Sequence, residues 1–192
     1  MNLALFDFDG TLSSKDSLGE FLKYASSKNS YFLNMARFLP YFSLWQLRII
    51  SNSKAKERLF SLFFKGANEE TFKQKAEEFS LQKLDTIIDK ERLQILREHQ
   101  AKGDRVVIVS ASMKCWLEPW CKREGIELLS TRLEFTKGAF SGSFATKNCH
   151  GAEKARRIQE HLDIKQYETI YAYGDSSGDN EMLALAHKSI KY

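Results

Sequence analysis

The chain has 192 residues, 43% hydrophobic and 28% charged, a composition typical of a globular domain. Its formal charge of +4 arises from Lys and Arg interspersed with Asp and Glu, so no basic stripe marks a nucleic-acid surface. This length suits one sizeable domain, or a core domain with an insertion. The first predicted element is an apolar strand at 3–8, stopped by acids. From about 14 to 88 the pattern is wholly helical, with pieces near 17–27, 30–39, 41–51, 53–65 and 69–88. Nine of the fourteen Phe residues fall in that insertion, so it needs an apolar interior or an apolar face. Residues 31–50 are apolar, but Arg37 and Arg48 oppose a membrane span and Pro40 divides the segment, which predicts a surface or lid helix pair.

Beyond 88, strands and helices alternate. A helix is expected over 91–102, with Leu93, Ile95, Leu96 and His99 near one face and Gly103 as its stop. A strand at 105–109 ends at Ser110, and a helix follows at 113–124, in which Pro119 bends the element or marks its true start. Residues 128–135 and 139–145 read as a hairpin turned by Lys137-Gly138. A helix over 152–162, a strand at 169–173, a helix over 180–186 and a weaker strand at 189–192 complete the chain. The runs at 3–8, 105–109 and 169–173 are continuously apolar, as in a parallel sheet covered on both faces. The expected class is therefore α/β, a doubly wound parallel sheet of residues 1–13 and 89–192 with an all-helical cap of residues 14–88 inserted.

Ligands of such sheets bind beyond the carboxyl ends of the strands, where Asp7, Asp9, Ser110, Asp175 and Asp179 all fall. Clustered carboxylates there suit one divalent cation and one phosphoryl group. Taken singly, each residue has a plainer reading: a strand-end Asp starts a turn, Asp179 caps a helix, Ser110 satisfies local backbone, and Lys154 is a surface lysine. Cys115, Cys121 and Cys149 are odd in number and unpatterned, so they are expected to be reduced thiols. The opening residues meet Asp7 too early for a signal peptide, and a cytoplasmic location is expected.

Asp7-Phe8-Asp9-Gly10-Thr11, the strand ending at Ser110, Lys154 in Gly151-Ala152-Glu153-Lys154, and Gly174-Asp175 through Asp179 together resemble the four motifs of the haloacid dehalogenase superfamily. The position of the helical insertion resembles the phosphoserine phosphatase-like branch. The resemblance implies a Mg²⁺ ion held by the Asp7 and Asp175 carboxylates and the Asp9 carbonyl, with Asp179 in or near its shell. It implies Asp7 as nucleophile, Asp9 as general acid and base, Ser110 and Lys154 on the phosphoryl group, and Thr11 supporting the loop and phosphate. Asp16 stands where phosphoserine phosphatases carry a Glu that grips the substrate amine; it reads equally as a helix cap. Arg58 is the candidate for their substrate-binding cap Arg. The expected substrate is a small phosphomonoester. The alternatives are a phosphomutase, or a lipid-phosphate phosphatase of the phosphatidylglycerophosphatase C type, in which Tyr31, Phe32, Phe38, Tyr41, Phe42 and Trp45 with Arg37 and Arg48 would face lipid. The competing reading of those aromatics is the cap's own core. Oligomeric state is left open by the sequence.

Overall fold

The computed structural model covers residues 1–192. Its centre is a five-stranded sheet of β1 (Leu3–Phe6), β2 (Arg105–Met113), β3 (Glu127–Thr131), β6 (Ile170–Gly174) and β7 (Lys188–Lys191) in the order β3-β2-β1-β6-β7. Every pairing is parallel. Side chains alternate across each strand, which sorts the apolar runs onto two faces. Ala4, Phe6, Val106 and Ile108 join one core cluster, whereas Leu3, Leu5, Val107 and Val109 join the other. That double burial is why these strands read as continuous apolar runs rather than alternating ones.

Helices α5 (Lys90–Ala101) and α6 (Lys114–Arg123) cover the first face; α7 (Ala152–His161) and the short α8 (Asn180–Leu183) cover the second. Between β1 and α5 lie α1 (Ser17–Ala25), α2 (Lys28–Gln46), α3 (Asn52–Phe64) and α4 (Glu69–Gln82). Their interior is not separate from the rest. Phe21 of α1 stacks on Trp116 of α6 at 4.6 Å between ring centroids, and Phe60 of α3 lies 5.9 Å from the same indole.

Three sequence expectations need correction. The segment 128–135 is not one hairpin strand: β3 belongs to the central sheet, and only β4 (Leu133–Thr136) pairs with β5 (Ala139–Phe144). That hairpin docks on α3 and the α3–α4 turn, with Gly66 N to Phe140 O and Phe140 N to Ala67 O both 2.9 Å. The helical segment is thus completed by strands about seventy residues away in sequence, a non-local pairing no local pattern encodes.

Pro40 does not divide α2, which runs unbroken through it. Pro40 and Ala36 both face outward, so the carbonyl that loses its partner can be solvated. Pro119 likewise sits inside α6, and the adjacent Trp120 N–H donates to the buried Ser80 Oγ at 3.0 Å. Finally, β2 continues beyond Ser110 to Met113, with a register shift against β3 over that stretch.

Candidate active site

The chain runs from β1 through the helical segment and α5 to β2 on one side, while β6 lies on the other. The carboxyl edge beside β1 is therefore a topological switch point, where loops part and leave a crevice. Asp7 and Asp9 follow β1, Asp175 and Asp179 follow β6, and Ser110 and Ser112 lie in β2. Asp7, Asp9, Asp16, Ser110, Lys154, Asp175 and Asp179 line one cavity of about 400 Å³. Its far wall is Leu18, Phe38, Phe42, Trp45, Ala55 and Leu59 from α1, α2 and α3.

Lys154 is the centre of charge. Its Nζ lies 2.5 Å from both Asp7 Oδ1 and Asp179 Oδ1, and the side chain is 2% exposed. The chain reaches this geometry because Gly151, with φ of 60° and ψ of −135°, starts α7 and places Lys154 in its first turn. Gly151 N donates to Gly178 O at 2.8 Å, which ties the start of α7 to the Asp175–Asp179 turn. Burial opposes the ammonium, but Asp7 and Asp179 outweigh it and hold its pKa above the ordinary lysine value. Burial pushes Asp7 up to about 7 against the pull of Lys154. Burial also opposes ionisation of Asp179, but Lys154 and the Ser176 donors bring it below the usual carboxylate value.

Asp9 has a different seat. Its Oδ1 accepts from Ser17 N at 2.7 Å and its Oδ2 from the Ser112 hydroxyl. The Ser17 and Ser112 hydroxyl oxygens lie 3.0 Å apart, so the two serines form one polar group beside Asp9. Trp116 Nε1 in turn donates to Ser17 Oγ at 3.3 Å. Burial raises the Asp9 pKa, Asp16 adds to the rise, and the serine donors moderate it. Asp9 is thus held away from Lys154 and kept closer to its protonated form, as a general acid requires.

Asp7, Asp175 and Asp179 each offer a carboxylate oxygen within 4.8 Å of the others. These are hard, all-oxygen donors, and a divalent cation would reverse the electrostatic push on Asp7. Gly10, at φ of 77°, lets the chain pass so close to Asp175 that a Cβ there would lie 2.7 Å from its Cγ. The donor set therefore fits Mg²⁺. Thr11 is buried outside the cavity wall, and its Oγ1 lies 3.4 Å from Asp175 Oδ1, so it braces that carboxylate.

Asp16 does both things its sequence allows: it caps α1 by accepting from Gly19 N at 2.8 Å, and it lines the cavity. Arg58 is not brought to the cavity. Its guanidinium stacks on Tyr41, 4.7 Å from the ring centroid, beside a separate depression with Lys54 and Glu57. The helical-segment cation that does line the cavity is Lys56, two residues earlier, whose Nζ donates to Ala111 O at 2.8 Å. Burial lowers its pKa, partly countered by Asp9, Asp16 and Asp7. Ser17, Ser112 and Lys56 were not identified from sequence, and His150 joins them in the surroundings of the cavity as part of its lining. The spacing Ser110-x-Ser112 in a strand, which sends both side chains the same way, was the available signal for one of them.

A family model described as haloacid dehalogenase-like hydrolase matches residues 4–184. The chain belongs to the haloacid dehalogenase-like hydrolases. It is 33% identical over 186 residues to protein CicA of Caulobacter vibrioides, covering 96% of this chain and 82% of that protein. A Bordetella pertussis Tohama I protein of unknown function superposes with a TM-score of 0.82 at 22% identity, covering 99% and 89% of the two chains. A phosphoserine phosphatase with an analogue of its phospho-aspartyl intermediate superposes with a TM-score of 0.69 at 17% identity, covering 98% and 85%. At those identities the two structures establish a shared fold. No helix of this haloacid dehalogenase-like hydrolase is long and apolar enough to cross a membrane.

Proposed function

We propose that this hydrolase is a Mg²⁺-dependent phosphatase for phosphomonoesters, acting through an aspartyl-phosphate on Asp7. The observation that carries the reading is the pair of unlike carboxylates on one cavity floor: Asp7 bridged by Lys154 to Asp179, and Asp9 held apart by Ser17 and Ser112. Asp7, Asp175 and the Asp9 carbonyl would hold the cation, with Asp179 in or near its shell, and Mg²⁺ there supplies neutralising charge to the phosphoryl oxygens. An Asp7 carboxylate oxygen attacks phosphorus, the ester P–O bond breaks, and Asp9 gives its proton to the leaving alkoxide. Asp9 then takes a proton from water, whose oxygen attacks the acyl phosphate, freeing phosphate and restoring Asp7. Lys154 and the Ser110 hydroxyl stabilise the transferring group. Residues 14–88 act as the cap, joined by the β4–β5 hairpin.

The decisive test is hydrolysis of para-nitrophenyl phosphate with and without Mg²⁺, together with mass analysis of acid-quenched protein. The expected result is Mg²⁺-dependent turnover, a phosphate mass on the Asp7 peptide, and loss of at least about a thousandfold in Asp7→Asn. A folded wild type that is silent with Mg²⁺ on a broad phosphomonoester panel defeats the reading.

One observation favours a second reading of the substrate. The wall formed by Leu18, Phe38, Phe42, Trp45 and Leu59 offers apolar surface to the leaving group, which suits a lipid phosphate better than phosphoserine. The same panel, including phosphoserine and a short-chain lipid phosphate, ranks the two by kcat/KM.

A further inference from the structure

The outward face of α2 has the wrong chemistry for water. At 100° per residue, Phe32, Ala36, Leu39, Ser43 and Leu47 fall on one arc, opposite Asn34, Phe38, Tyr41 and Trp45, which pack inward. Phe32 is 69% exposed, Leu39 61% and Leu47 69%. Leu33, Phe42 and Ile49 extend the patch, so six of the ten exposed large apolar residues of the chain fall between positions 32 and 49. Helices apolar on both sides are normally buried, and nothing in this chain covers this one. The Ser43 hydroxyl at the centre of the arc already donates to Leu39 O at 3.2 Å, so its burial leaves no unmet donor.

The charge along the stretch of chain that carries the patch has one sign. From Phe21 to Lys56 there is no Asp or Glu, although the chain carries 25 of them, and there are six cations. Lys56 turns into the cavity and Lys23 pairs with Glu20 at 2.9 Å, while Lys28, Arg37, Arg48 and Lys54 are exposed. A second copy meeting this face across a two-fold axis would set those cations against their equals. An anionic bilayer complements both features at once, taking the apolar side chains between its lipids and the cations at its headgroups. We propose that α2 docks this protein on an anionic phospholipid surface, lying in its plane. Phe42 belongs both to the patch and to the cavity wall, so docking brings the cavity mouth to the lipid surface.

The test is co-sedimentation of the full chain with vesicles of phosphatidylcholine and phosphatidylglycerol in equal parts, against phosphatidylcholine alone. Hydrolysis of para-nitrophenyl phosphate is read in parallel. The expected result is binding to the anionic vesicles that weakens at high salt. It falls about tenfold or more both in Phe32→Ser/Leu39→Ser and in Arg37→Glu/Arg48→Glu, with soluble-substrate turnover unchanged. The proposal is overturned if wild type stays in the supernatant with both vesicle types, or if the variants bind as wild type does. It is equally overturned if light scattering shows a dimer that Phe32→Ser/Leu39→Ser dissolves. A protein that binds vesicles but hydrolyses nothing would leave this docking intact and defeat the catalytic reading instead.

Discussion

Asp9 is oriented by two donors from different parts of the fold, the Ser17 amide and the Ser112 hydroxyl. Removing one should loosen the acid without removing it. Ser112→Ala is expected to lower kcat roughly tenfold with KM little changed. The lost donor stabilised the carboxylate, so the pH limb that reports Asp9 should move upward, and Ser112→Thr should restore both. A pH–rate profile of the three proteins decides it. Lys154→Met leaves Asp7 and Asp179 buried against each other without their ammonium. It is expected to abolish turnover and to destabilise the chain by about 3–5 kcal/mol, with Mg²⁺ recovering part of the loss, as read from urea midpoints with Mg²⁺ and with EDTA. At this scale the sequence was legible wherever residue type and strand position coincide: Asp7, Asp9, Ser110, Asp175 and Asp179 all line the cavity. Lys56 was not legible, because which of several lysines on a helix turns inward depends on how α3 packs, not on its neighbours in sequence.

Elements show the same division. Strands β1, β2 and β6 announced themselves because they are buried on both faces, whereas the β4–β5 hairpin hid its role because its partner is α3. Pro40 signalled a break that burial of one helix side overrides. Pro40→Ala is accordingly expected to raise stability, by about 1–3 kcal/mol on intrinsic helix preference, measured as a shift in the urea midpoint. Helix α7 carries its own acid sensitivity. Glu153 pairs with Arg156 at 2.6 Å and Arg157 at 2.9 Å, and those partners hold its pKa down to about 2. A carboxyl depressed on folding contributes stability above its unfolded value, near 4.5, and loses it as pH falls toward 2. Glu153→Gln should therefore flatten the stability profile between those limits and leave it unchanged near the bottom of that window.

For the whole molecule the consequential fact is that the helical segment and the sheet share one interior through Trp116, which is fully buried between Phe21 and Phe60. Trp116→Ala is expected to cost about 3–5 kcal/mol. Unfolding should remain a single transition, coincident by far-ultraviolet circular dichroism and tryptophan fluorescence, because the helical segment keeps no core separate from that of the sheet. Two resolved transitions would contradict that shared interior. The same indole begins the hydrogen-bond chain through Ser17 and Ser112 to Asp9. Ser17 opens α1, so of the two residues that orient Asp9 one belongs to the helical segment that walls the cavity and the other to β2 of the sheet. On the proposed reaction, the helices that wall off the chamber also aim the carboxyl that protonates the departing alkoxide, so a change that displaces α1 would blunt both.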